Sequence, residues 1–181
     1  QLAAHMDFQP ESVDRVSRFW NAPHIATQPG LKAIDLFEAI DRRKDKALWV
    51  MGTNPAVSLP DADRVRAAMQ TVDLFIISEN MASTDSTYNA HIRLPAAAWG
   101  EKSGTVTNAE RRVSRQRPFL PLPGKLKPDL WALSQVAQCM GYAKAFSYAS
   151  PAEIFREHAE LSGFENAGSR DFDISGYAAC S

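Results

Sequence analysis

Lys46 to Pro60 reads K-A-L-W-V-M-G-T-N-P-A-V-S-L-P. Ala47 to Met51 is a short apolar run without helical period that stops at Gly52, the pattern of a buried central strand ending in a tight turn. A helix is expected next. Pro60, Asp61 and Asp63 open D-A-D-R-V-R-A-A-M-Q, which puts Val65, Ala68 and Met69 on one face. Strand, small-residue turn and helix together leave backbone N–H groups available to an anionic ligand, so Gly52 and Asn54 are candidate binding positions. A purely structural turn has the same appearance, because every parallel sheet needs such turns. The chain contains neither G-x-G-x-x-G nor G-x-x-x-x-G-K-[ST], which argues against a common nicotinamide site and against a P-loop.

Working outward, Asp73 to Ile77 (D-L-F-I-I) is a second apolar run, and it finishes at Ser78-Glu79. A strand–helix–strand unit of this length predicts a parallel sheet covered by helices, with ligands beyond the carboxyl ends of its strands. Ser78 and Glu79 fall at such an end. Glu79 has two readings at this point: an acceptor for ribose hydroxyls, or an acid capping a helix over M-A-S-T-D-S-T. Ala90 to Leu94, closed by Pro95, is a third, shorter strand. Beyond it, Thr105–Thr107 and Arg111–Arg115 alternate about a turn at Asn108-Ala109 and read as a β-hairpin excursion from the sheet. Four arginines and one lysine lie between Lys102 and Arg117, either as a solvated face or to neutralise an anion.

The flanking sequence is helical and loop-like. Helices are predicted over Glu11–Trp20, over Lys32–Arg43, from Asp129 along L-W-A-L-S-Q-V-A-Q-C-M to a C-cap at Gly141, and from the Ser150 cap to about Leu161. In the third of these, Leu130, Leu133, Val136, Ala137 and Met140 form an expected core stripe, and Cys139 reads as a packed core thiol. Asn21–Leu31 and the proline-rich Phe119–Lys127 read as loop and extended connector, and His24 in the first of them receives no role. Residues 1–165 are expected to form one α/β domain and 166–181 an irregular tail. Both ends have the look of cuts through something longer.

Composition is that of an ordinary globular protein, 45% apolar and 23% charged. A net charge of -1 gives no general field for nucleic acid or acidic membranes, and no segment reads as a signal or a membrane span, so the expectation is a cytoplasmic protein with neither partner. Cys139 and Cys180 are the only cysteines and form no C-x-x-C, which argues against a zinc or iron–sulfur site within the chain.

The strings G-T-N-P-A-V-S-L-P-D, I-I-S-E-N, R-L-P-A-A-A-W-G-E-K-S-G-T-V-T-N-A-E-R-R-V-S-R-Q-R and K-P-D-L-W resemble the large subunits of molybdopterin oxidoreductases of the dimethyl sulfoxide reductase type. The likeness is strongest to the cytoplasmic assimilatory nitrate reductases, extends over about Gln1 to Leu161, and is most specific in W-G-E-K-x-G-T-x-T-N-x-E-R-R. It implies a Rossmann-like α/β fold within a larger multidomain enzyme that carries a 4Fe-4S cluster elsewhere and binds molybdenum through two molybdopterin guanine dinucleotides. It also implies residue roles. Gly52 and Asn54 belong to the first strand turn, where Asn54 matches the polar position facing the dinucleotide. Ser78 and Glu79 match the pair that holds the guanosine ribose, with Asp in many relatives. Lys102 matches a cofactor-contacting lysine, and Asp129 a contact to guanine, whose N1 and exocyclic amine are donors suited to a carboxylate. No metal ligand and no catalytic residue carries over.

The activity implied for the parent is two-electron reduction of nitrate to nitrite, with an electron-donor protein and the parent's other domains as partners. The chain alone is expected to be inactive. The equivalent segment of a formate dehydrogenase alpha subunit is the alternative within the family, and a non-catalytic Rossmann-like interaction domain the alternative outside it.

Overall fold

A computed structural model of the chain describes residues 1–180. In chain order its principal elements are α1 (Pro10–Trp20), α2 (Ala33–Asp41), β1 (Ala47–Met51), α3 (Pro55–Ser58), α4 (Ala62–Thr71), β2 (Leu74–Glu79), β3 (Ile92–Pro95), β4 (Gly104–Thr107), β5 (Val113–Gln116), α5 (Asp129–Ala137) and α6 (Pro151–Gly163). These residues form two compact units interleaved along the sequence. Leu31–Ser103 with Gln116–Val136 makes one, and Gln1–Gly30, Gly104–Arg115 and the residues from Ala137 onward make the other.

The first of these units is built on a parallel sheet of order β1-β2-β3. The α/β expectation holds, with one change of position: β2, and not β1, is the central strand among the described residues. Leu48 and Val50 of β1 pair with Phe75 and Ile77 of β2, and all four point to one buried face. Phe37 and Ile40 of α2 and Val65, Ala68 and Met69 of α4 cover that face and complete the core. The opposite face, with Trp49 and Ile76, is only half-buried, so the continuous apolar runs mark one dry face rather than two.

Three boundaries differ from the sequence reading. An additional short helix, α3, starts at Pro55 and ends before Pro60, so the longer helix begins later, at Ala62, after Asp61 in a left-handed conformation (φ 54°). β2 runs on through Ser78 and Glu79, and β3 begins at Ile92 and takes in Pro95. The α5 stripe is a correction. Leu133, Val136 and Met140 are exposed (Met140 69%), Cys139 is exposed, and the buried side chains of that helix are Ala132 and Ser134. Periodicity identifies the apolar side of a helix but not whether anything lies over it. Gly141 does take a positive φ (97°), within the π-turn Gln138–Tyr142.

In the other unit, β4 and β5 pair as a two-stranded sheet. Asn108 shapes their turn by accepting from the backbone N–H groups of Glu110 and Arg112 through Oδ1. A second core joins Met6, Val16 and Leu161. Glu165 receives a bidentate bond from Arg18 at 2.5 and 2.8 Å, and this guanidinium, followed by Arg15, holds its carboxyl below the usual range. The chain after α6 folds back on it. Asn166, 2% exposed, donates through Nδ2 to Ser162 O, Arg170 O and Asp173 Oδ2.

Two predictions follow from these cores. Phe75→Ala, which empties a fully buried site between α2 and α4, lowers the unfolding free energy by about 3–5 kcal/mol in urea titration. His158 lies against Phe172, and burial first, then the charge of nearby His5, depresses its pKa below the ordinary 6.5. A base with a lowered folded-state pKa takes up protons more readily when unfolded, so its contribution is complete above pH 6.5 and is lost as pH falls from there through the folded value. Urea midpoints measured across that window decline for the unsubstituted chain and decline less for His158→Gln.

Candidate functional site

The carboxyl ends of the parallel strands stop level with one another. Met51 pairs with Ser78, Glu79 pairs with Pro95, and Gly52 N reaches Ser78 O at 3.4 Å. Gly52 turns the chain with φ 61°, a conformation that strains any residue with a Cβ. Beyond these ends lies an open cavity of about 320 Å³, lined by Gly52, Asn54, Ser78, Glu79, Lys102 and Asp129 together with Thr53, Asn80, Ala96–Ala98 and Trp99. Thus all six residues proposed from the sequence border one cleft, although they come from four separate stretches. A larger cavity of about 430 Å³ lies within the other unit, beside β4, β5 and α6, and contains none of the six. The strand-end cleft is the better candidate because only it gathers both acids and the lysine.

Each polar group in the cleft is held in a particular way. Glu79 Oε1 accepts from the backbone N–H of Asn80 at 2.9 Å and of Met81 at 3.3 Å. No helix follows it, so the helix-capping reading is corrected to a turn-capping one. Both bonds use one oxygen, and the acceptor capacity of the other is what the carboxylate can offer a ligand. Ser78, buried, accepts from Trp49 Nε1 at 2.9 Å. Asn54 Oδ1 accepts from Ser86 Oγ at 2.6 Å.

The W-G-E-K segment builds the far wall. Trp99 O accepts from Gln116 Nε2 at 2.6 Å, and Glu101 Oε2 accepts from Ala98 N at 2.8 Å. Gly100 lies under the Phe119 ring, where a Cβ would come within 2.7 Å of Cζ, and its carbonyl accepts from the N–H groups of Phe119 and Leu120. Lys102 then reaches Asp129 Oδ2 with its Nζ at 3.1 Å, both side chains being about seven-tenths buried. Asp129 Oδ1 is buried and has no partner. An unpaired buried carboxylate oxygen costs about 1–3 kcal/mol or more, so it marks a position suited to an incoming donor.

Sequence reasoning passed over Trp49, Trp99 and Ser86. Trp99 stood inside the quoted motif. The partnerships of Trp49 with Ser78 and of Ser86 with Asn54 join residues 29 and 32 positions apart and leave no local signal.

Fold and cleft define a parallel α/β unit with an open cleft at the carboxyl ends of its strands. Residues 5–139 match the family model described as molybdopterin oxidoreductase, and the chain belongs to that family. It is 54% identical over 177 residues to a nitrate reductase of Klebsiella oxytoca, covering 98% of this chain and 20% of that protein. Identity is 44% over 162 residues to a nitrate reductase of Shewanella frigidimarina, covering 90% of this chain and 17% of the relative. A putative formate dehydrogenase of Bacillus subtilis is 37% identical over 135 residues, covering 75% of this chain and 14% of its own length. The chain therefore spans about a fifth or less of the length of these curated relatives. No helix among the described residues is long and apolar enough to cross a membrane.

Glu79→Ala removes the acceptor shared by two backbone N–H groups, at a local cost of about 1 kcal/mol. Amide exchange at Asn80 and Met81 is expected to quicken roughly fivefold while that of Ile77 is unchanged. Unaltered exchange at Asn80 and Met81 would show that the carboxylate does not hold the turn.

Proposed function

We propose that the chain is the segment of a molybdenum nitrate reductase that grips the guanosine arm of one molybdopterin guanine dinucleotide. The observation that carries the reading is the single cleft bordered by Gly52, Asn54, Ser78, Glu79, Lys102 and Asp129, with one buried acceptor oxygen left over. The donor set suits such a ligand. Asp129 Oδ1 is an acceptor for the N1–H or exocyclic amine of guanine, Glu79 for ribose hydroxyls, and the Lys102 ammonium, with donors beyond the one used on Asp129, for a pyrophosphate oxygen. Gly52 and Ser78 contribute backbone and a small side chain to the lining.

Once bound in the parent enzyme, the molybdenum pterin would supply the two-electron chemistry that turns nitrate into nitrite and water. This chain's share is to bind and orient one end of it. The parent is read as a cytoplasmic assimilatory enzyme with a bis-dinucleotide molybdenum site, a 4Fe-4S cluster housed in other domains and a separate electron-donor protein. Nitrate is favoured over formate by the higher identity to the nitrate reductases of Klebsiella oxytoca and Shewanella frigidimarina, 54% and 44%, against 37% for the formate dehydrogenase of Bacillus subtilis. Formate dehydrogenase stays as the second reading because that similarity still covers 75% of the chain.

Titration with GDP, followed by amide chemical shifts, is expected to move Gly52–Asn54, Glu79, Lys102 and Asp129, with ADP binding more weakly because adenine lacks the N1–H and 2-amino donors. Glu79→Ala weakens GDP binding by about 1 kcal/mol or more. Shifts confined to other surfaces, or equal affinity for ADP, would remove the guanosine assignment.

A further inference from the structure

We propose that Ser86 is a positioning residue that fixes which end of the Asn54 amide meets the ligand, presenting the –NH2 group to the phosphate portion of a guanine nucleotide. This rests on the dinucleotide reading of the strand-end cleft and adds to it a residue that does not itself border the cleft.

An asparagine at a ligand site is ambiguous, since rotating its amide by half a turn exchanges donor for acceptor. Here the neighbouring atoms remove the ambiguity. Ser86 is 1% exposed, and its Oγ accepts from the backbone N–H of Ala56 at 3.2 Å. A serine hydroxyl has one hydrogen, and the remaining neighbour in line for it is the Asn54 side chain at 2.6 Å. With Oδ1 toward Ser86 that hydrogen is satisfied, whereas the reverse orientation would make Oγ accept from Nδ2 as well and leave the buried Ser86 hydrogen without this acceptor. With its oxygen committed to Ser86, Asn54 has Nδ2 and two hydrogens to give, which match phosphate oxygens. The opposite orientation would present a carbonyl dipole to an anion.

The loop carrying Ser86 is itself fixed. Thr84 and Thr87 bond one another four ways: Thr84 N to Thr87 Oγ1 at 2.8 Å, Thr87 N to Thr84 Oγ1 at 3.3 Å and to Thr84 O at 3.1 Å, and Thr87 Oγ1 to Thr84 O at 2.9 Å. Thr87 is buried with Ser86. A loop of turns between β2 and β3 thus reaches back 32 residues to set the polarity of the turn after β1.

The test compares GDP with guanosine, because a positioning role acts on the phosphate part and a general loosening of the turn acts on both ligands. Both are titrated against the chain and its Ser86→Ala, Ser86→Thr and Ser86→Cys variants, following amide shifts including the Asn54 side-chain resonances. Ser86→Ala is expected to lower GDP affinity roughly fivefold, the loss of about one hydrogen bond, with guanosine affinity unchanged. Ser86→Thr keeps the hydroxyl and restores GDP affinity to within about twofold. Should Ser86→Ala fail to fold, Ser86→Cys, a weak donor of similar size, carries the same comparison. An unchanged GDP-to-guanosine ratio in the alanine or cysteine variant overturns the assignment while leaving the cleft's role intact. No GDP binding by the unsubstituted chain overturns both.

Discussion

The register of one strand pair governs the rest of the structure. β1 and β2 run parallel with Met51 opposite Ser78, so both strands reach their carboxyl ends at the same height. A slip of β1 by one residue against β2 would turn Leu48 and Val50 away from α2 and α4 while Phe75 and Ile77 stayed facing them, and the shared burial of these four side chains pins the register. At about 1.5–3 kcal/mol for each large apolar side chain, that burial far outweighs any polar contact at the strand ends. The cleft is thus positioned by the core, and the polar residues around it adjust to a frame already fixed.

Within that frame most polar groups are engaged before any ligand arrives. Glu79 holds its own turn, Ser78 receives Trp49, Asn54 is tied to Ser86, and Lys102 is paired with Asp129. Such engagement lowers the side-chain entropy left to lose on binding, worth about 0.5–1.5 kcal/mol for each long side chain already ordered. The exception is Asp129 Oδ1, which stays buried and unsatisfied. Its second oxygen already meets Lys102, and Oδ1 is left as an acceptor open to a further donor.

The sequence disclosed what local chemistry writes down. Apolar runs ending at Gly52 and at Ser78-Glu79 encode strands because side-chain burial and turn conformations are local properties, and the strand ends lie where a cleft opens. The resemblance brought in Lys102 and Asp129, which no spacing argument could have joined across 27 positions. Boundaries slipped where backbone detail decided them, as at α3, which Pro55 starts inside what reads as a turn. The α5 stripe misled for a different reason. Leu133, Val136 and Met140 do lie at helical spacing, but burial depends on what packs over a face, and that information is not carried by the helix itself. Ser86 and Trp49 lay beyond sequence reasoning altogether, since their partners are chosen by the fold.

The W-G-E-K block owes its specificity to a division of work among adjacent residues. Gly100 lets the Phe119 ring lie where a side chain would otherwise stand, so a larger residue there would displace the exposed ring, and the Phe119 backbone is held by its bond to the Gly100 carbonyl. Glu101 closes the turn on Ala98, and Trp99 receives Gln116 through its carbonyl. These contacts tie the segment leaving β3 to the segment that returns toward α5. Lys102 and Asp129 sit on those two segments and pair at 3.1 Å. A pair about seven-tenths buried also loses hydration when it forms, and its net attraction is small beside the packing that brings it together. The motif thus joins a turn, closed by Glu101 on Ala98, to the lysine that lines the cleft.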